Sequence, residues 1–178
     1  RSTVQDSSAA SDVYKRQGTE SACKSVAEHL SKYGIDVDHN DVVISPGCKQ
    51  ALLYAMMTCL NPGDEVILLS PAWPSYEGML SLIGAVPVNV PVNRHNYHPD
   101  MDAIRSAITP KTKAIMVNSP NNPTGAVYLP SEIKELTDIA IENDLWIFDD
   151  MIYSDLVYSE HAYVCLLYTS PSPRDDQT

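Results

Sequence analysis

Residues 114–125 read Ala114-Ile115-Met116-Val117-Asn118-Ser119-Pro120-Asn121-Asn122-Pro123-Thr124-Gly125, and the way this stretch divides decides the fold. The first four residues form an uninterrupted apolar run, which predicts a strand. The next eight combine two prolines that fix φ, three asparagine amides and a glycine that accepts positive φ, so they predict a rigid polar loop. A loop of this kind, set directly after a buried strand and before a helix, belongs at the carboxyl edge of a sheet, where open α/β folds place their ligands. The same octet is also a well-made turn, and taken alone it does not separate the two readings.

Downstream, Pro130 suits a first helical position, and the spacing predicts a helix to about Asn143 with Ile133, Leu136, Ile139 and Ala140 inward. Leu145-Trp146-Ile147-Phe148 then reads as a strand ending in Asp149-Asp150, with Trp146 in the core. Upstream, Glu65-Val66-Ile67-Leu68-Leu69 has the continuous hydrophobicity of a doubly covered strand. A helix after Pro74 runs to about Ile83 and closes at Gly84, and Val86-Pro87-Val88-Asn89-Val90 carries a proline that suits an edge strand. Asp100 is placed to cap a helix over 101–108.

Earlier still, Cys48 to Leu60 is apolar on nearly all sides and predicts a helix buried in the middle of the domain. Val42-Val43-Ile44 reads as a short buried strand. Ala22, Val26, Ala27 and Leu30 recur at helical spacing up to a stop at Gly34. At least four strand-then-helix units in order predict an α/β fold, a mostly parallel sheet with helices on both faces.

A hydrophobic content of 44% in 178 residues suits one sizeable core and is too little chain for two complete domains. With 12 basic against 23 acidic residues and a net charge of −11, neither a nucleic-acid backbone nor an anionic membrane is an expected partner. Cys23, Cys48, Cys59 and Cys165 contain no C-x-x-C pair, which predicts a reduced, cytoplasmic protein and no zinc or disulfide scaffold. No apolar run approaches the roughly 20 residues that span a bilayer. Residues 1–17 and 169–178 show no period, and 7–17 and 165–175 resemble translated adapter sequence; 1–17 and 165–178 are expected to be non-native or disordered tails around a domain at 18–164.

Four junctions carry candidate chemistry. At Gly47-Cys48-Lys49 the amides of a helix start would suit an anion such as phosphate, although any buried helix needs a turn before it. Pro71-Ala72-Trp73 follows one strand and the octet follows another. Asp150 and Tyr153, three apart beyond a strand, can present a carboxylate and a phenol on one side, or Asp150 can simply cap a short helix. Lys49 as a nucleophile, Cys48 as an activated thiol, and His95 with His98 as metal ligands are each weaker than their plain structural roles; the two histidines are expected to be solvated turn residues, and no metal site is expected.

Taken together, Ser45 to Leu52, Asn61-Pro62-Gly63-Asp64-Glu65-Val66, Asn118 to Gly125 and Asp150-Met151-Ile152-Tyr153 resemble the class I aminotransferases, fold-type I pyridoxal-phosphate enzymes, in order and spacing. The likeness covers Gly18 to Tyr158 and implies an incomplete large domain that binds pyridoxal 5'-phosphate. It implies that Cys48 and Lys49 hold the cofactor phosphate, that Trp73 stacks on the ring, and that Asn122 bonds the ring hydroxyl. It further implies that Asp150 pairs with the ring nitrogen, that Tyr153 bonds the ring oxygen, and that Trp73 and Asn122 also face the substrate. The implied reaction passes an amino group between an amino acid and a 2-oxo acid, in a homodimer at full length. A carbon–sulfur lyase or decarboxylase on the same scaffold, or an aminotransferase-like sensing domain of a transcription regulator, are the alternatives. The family's Schiff-base lysine follows the Asp-x-x-Tyr segment, and no lysine follows Lys134 here, so the chain alone is expected to be inactive.

Overall fold

The computed structural model of the protein describes residues 17–158. The expectations for the tails at 1–17 and 165–178 therefore lie outside the described residues, Gln17 excepted. Two compact units divide between Ala51 and Leu52.

In the first unit, helix α1 (Glu20–Ser31) starts at Thr19, whose hydroxyl accepts from the Ala22 amide. Cys23 is its one buried residue, and its thiol faces the carbonyls of Gln17 and Val42 at 3.6 Å. A 3-10 turn, His39–Asp41, is capped by Asp38. Among the described residues no strand forms at 42–44: Val43 and Ile44 are exposed, and the Ile44 amide bonds to the Gln17 carbonyl without joining a ladder.

Helix α2 (Cys48–Cys59) crosses the division and departs from expectation. Along it only Leu52 and Met56, four apart on one stripe, are buried, while Tyr54 and Met57 are exposed. Its apolar content exceeds what one packed face requires.

The second unit is built on a parallel sheet. Its strands are β1 (Glu65–Ser70), β2 (Val86–Pro91), β3 (Thr112–Asn118) and β4 (Trp146–Asp150), in the order β2-β1-β3-β4. Helix α3 (Ser75–Ile83) joins β1 to β2 and ends at Gly84 in the left-handed conformation. Helix α4 (Met101–Ala107) leads to β3 and starts at Asp100, whose carboxylate accepts from the Ala103 amide at 3.0 Å. Helix α5 (Pro130–Glu142) leads to β4, and Glu132 at its third position accepts from the Leu129 amide at 2.7 Å.

Side-chain alternation shows how the sheet is covered. Ile67, Leu69, Ile115 and Val117 pack in one cluster with Ile104 of α4 and Ile133, Leu136, Ile139 and Ala140 of α5. Their neighbours Val66, Leu68, Ala114 and Met116 point to the opposite face and are buried too. The α/β reading with both faces covered therefore holds, and β2 is an edge as its proline suggested.

Trp146 is not core. Ile147 packs against the α4/α5 cluster, so Trp146 points to the other face at the start of edge strand β4 and is 59% exposed. His98 also departs from a solvated turn: its Nδ1 lies 2.7 Å from Oε2 of Glu132. Among the described residues no helix is long and apolar enough to cross a membrane.

Two outcomes follow from this packing. Ile115→Ala, at a fully buried position, should cost about 2–5 kcal/mol in urea unfolding, and Trp146→Ser less than about 1 kcal/mol; comparable losses would contradict the assigned faces. Burial, and then the charge of Glu132, push the Tyr128 phenol above its ordinary value. The folded state thus keeps a proton that the unfolded chain releases above about pH 10, so this stabilisation is complete below that pH and declines above it. Tyr128→Phe should flatten the alkaline fall in stability, and an unchanged slope would refute it.

Candidate functional site

The chain leaves β1 toward β2 on one side and returns as β3 on the other, so the strand order reverses between β1 and β3. The crevice outside the carboxyl ends at such a reversal is where open α/β sheets bind ligands. Trp73 follows β1, the octet follows β3, and Asp150 ends β4.

The three asparagines of the octet divide its work. Asn118, buried at the last position of β3, donates from Nδ2 to the Asp150 carbonyl at 2.9 Å and accepts at Oδ1 from the Asn122 amide at 2.8 Å. Asn121 folds the loop on itself: its Oδ1 accepts from the Thr124 hydroxyl at 2.9 Å, and its carbonyl accepts from the Gly125 amide at 2.7 Å. Gly125 has φ +73°, the conformation a side chain would disfavour there. Ser119 Oγ accepts from the Tyr128 amide at 2.9 Å and closes the base of the loop. The peptide bonds before Pro120 and Pro123 are cis, as is the one before Pro71.

Asn122 turns its side chain outward, and Nδ2 donates to the Tyr153 hydroxyl at 3.3 Å. Beside that pair lies an open cleft of about 410 Å³, bounded by the octet, Tyr153 and Leu156. Asp150 is 4% exposed. Its Oδ2 accepts from the Tyr76 hydroxyl at 2.7 Å and its Oδ1 from the Ile152 amide at 3.3 Å. The second contact has the form of the local cap considered for Asp150; the first comes from a different helix and does not.

Of the residues singled out in the sequence, Asn122 and Tyr153 meet directly, and Asp150 joins them through Asn118. Trp73 belongs to the same unit and packs edge-to-face on Tyr76, with ring centroids 5.4 Å apart. Cys48 and Lys49 belong to the other unit; there Gly47 takes φ +92° and its carbonyl accepts from the Ala51 amide at 3.3 Å as α2 begins. Tyr76 and the bridging role of Asn118 were missed. The first could have been noticed as an aromatic pair at i, i+3 with Trp73.

The donor set suits a planar heteroaromatic ring with a basic nitrogen at one end and an oxygen at the other. A buried carboxylate matches the first, and a converging amide and phenol match the second.

Fold and edge together define a parallel α/β domain with a polar cluster at its strand reversal. The family model for aminotransferase class I and II matches residues 3–173, and the chain belongs to that family. It is 42% identical over 132 residues to the probable aspartate/prephenate aminotransferase of Thermus aquaticus, covering 73% of this chain and 34% of that protein. It is 45% identical over 121 residues to the aspartate/prephenate aminotransferase of Thermus thermophilus, covering 67% of this chain and 31% of that one. Among solved structures, Thermus thermophilus aspartate aminotransferase with maleate superposes with a TM-score of 0.84 at 38% identity, over 88% of this chain and 41% of that chain. Alanine aminotransferase from Pyrococcus furiosus gives 0.83 at 32% identity, over 88% and 40%. The chain thus spans about a third of the length of these curated relatives.

The double role of Asn118 is testable by amide exchange. Asn118→Ala removes the acceptor for the Asn122 amide and should speed its exchange at least about tenfold, with a loss of about 2–4 kcal/mol in stability. Asn118→Asp keeps that acceptor and should leave the amide protected, while losing the donor to the Asp150 carbonyl. Equal exchange in both variants would disprove the division of roles.

Proposed function

We propose that this chain is the central part of the cofactor domain of an enzyme that moves an amino group between an amino acid and a 2-oxo acid, with pyridoxal 5'-phosphate as cofactor. The observation that carries the reading is the buried Asp150 carboxylate, tied through Asn118 to the Asn122–Tyr153 pair at the strand reversal. When bound, the cofactor supplies an electron-withdrawing ring for bond breaking at the substrate α-carbon.

The residues of this chain bind and orient. Asp150, an acceptor in a site of low exposure, would hold a proton on the ring nitrogen. Asn122 Nδ2 and the Tyr153 hydroxyl would hold the ring oxygen, and the Trp73 indole would fix the plane of the ring. On the family resemblance, the amides of Cys48 and Lys49 take the phosphate. Trp73 and Asn122 would also border the amino acid and 2-oxo acid. No lysine follows Lys134, so this chain by itself is proposed not to catalyse transfer. The full-length parent is proposed to be a cytoplasmic homodimer, and a sequence without a C-x-x-C pair suits a reducing compartment.

The decisive comparison uses the parent-length enzyme. Asp150→Asn keeps the shape and removes the charge, so single-turnover transfer should fall on the order of 1,000-fold while affinity for pyridoxamine 5'-phosphate changes less than about tenfold. A near-parental rate would reduce Asp150 to a cap. Release of ammonia or carbon dioxide in place of transfer to a 2-oxo acid would move the enzyme to another reaction on the same scaffold.

A further inference from the structure

The outer edge of the sheet at β2 carries a sequence that ordinarily invites another strand. Val86, Val88, Val90 and Val92 alternate through the uncharged stretch 86–92, and valine is among the residues that best fit a pleated strand. β2 is the terminal strand of the order β2-β1-β3-β4, so one side of its backbone has no neighbour in the sheet. Val88, Val90 and Val92 turn their side chains to the α4/α5 cluster, which fixes the strand in its register.

Successive residues of a strand direct their main-chain polar groups to opposite sides. The Val86 amide donates to the Asp64 carbonyl at 2.8 Å and the Val92 amide to the Ser70 carbonyl at 2.9 Å, so the valine positions face β1. Positions 87, 89 and 91 therefore face outward, and two of these three are proline. A proline has no N–H to give, and its ring stands where that hydrogen would be. Asn89 keeps its main-chain donor, but its side chain donates to Oε1 of Glu77 at 2.7 Å, which holds a carboxylate of α3 beside the edge.

Two copies of this chain meeting edge to edge, antiparallel about Asn89, would set Pro87 of one against Pro91 of the other. Facing residues of that kind are held by exchanging both of their N–H donors. Here both outer pairs would lack every donor, only the Asn89 pair would bond, and the two Glu77 carboxylates would be brought toward each other. We propose that Pro87 and Pro91 close this edge: they keep a second copy of the chain from adding its own β2 to the sheet, so that copies which associate must meet on another surface. This holds whether or not the domain binds a cofactor.

The test compares the present chain with Pro87→Thr/Pro91→Thr, which restores both outward donors on a residue suited to strands. Thermal midpoints at low concentration establish which chains are folded. Amide exchange is followed at Asn89, the one outward position that carries an N–H in every chain. On raising protein from about 1 to about 100 µM, exchange at Asn89 should slow at least about tenfold in the double variant and stay unchanged in the wild type. Pro87→Thr and Pro91→Thr singly, which disturb the strand less, should each slow it by a smaller factor, and they decide the matter if the double variant does not fold. Association through a different surface leaves this amide unaffected, which is why the readout is local. Exchange at Asn89 that ignores concentration in every folded variant would overturn the proposal, as would slowing already present in the wild type.

Discussion

The side chain of Asn118 is the constraint on which the carboxyl edge depends. Parallel strands deliver their ends to one rim, but nothing in a backbone ladder fixes what the following loops do. Here β3 and β4 finish in register, Asn118 opposite Asp150. The amide at that last rung spends its donor on the neighbouring strand and its acceptor on its own loop. A carboxylate in its place would leave the Asp150 carbonyl without this donor and set a second negative charge beside Asp150.

This arrangement works because the sheet beneath it is stiff. β1 and β3 are buried on both faces, with Ile67 and Ile115 against α4 and α5 and Leu68 and Met116 turned the other way. Close packing leaves the strand ends little room to shift, so polar groups mounted there hold their separations. Tyr76 extends the same logic to the other side of the sheet, carrying a hydrogen bond from α3 to the end of β4.

Much of this was legible from residue order, for reasons that differ by element. Ile133, Leu136, Ile139 and Ala140 lie at helical spacing and all are buried, because α5 turns one apolar stripe toward the sheet and α4. Trp146 shows where the reasoning fails: an apolar strand announces itself, but whether each of its faces is covered depends on neighbours, and an edge strand leaves one side open. Val42-Val43-Ile44 fails likewise, since a strand needs a partner and composition names none. The octet was legible as a rigid polar loop at the end of a strand, yet the separate tasks of Asn118, Asn121 and Asn122 were not. Three identical amides within five positions differ only in what stands opposite them, and for Asn118 that is Asp150, far along the chain. Tyr76 was hidden for the same reason.

The loop that follows β3 spends its own backbone. The amides of Asn121, Asn122, Thr124, Gly125, Ala126 and Tyr128 all donate to atoms of the loop or its base. Unlike a phosphate-cradling nest, it has turned these main-chain donors inward, so a molecule beside it is read by side-chain chemistry. An exchange at Asn122 or Tyr153 would therefore alter the side chains presented at this rim and leave the path of the loop, which Asn121 and Gly125 hold, unchanged.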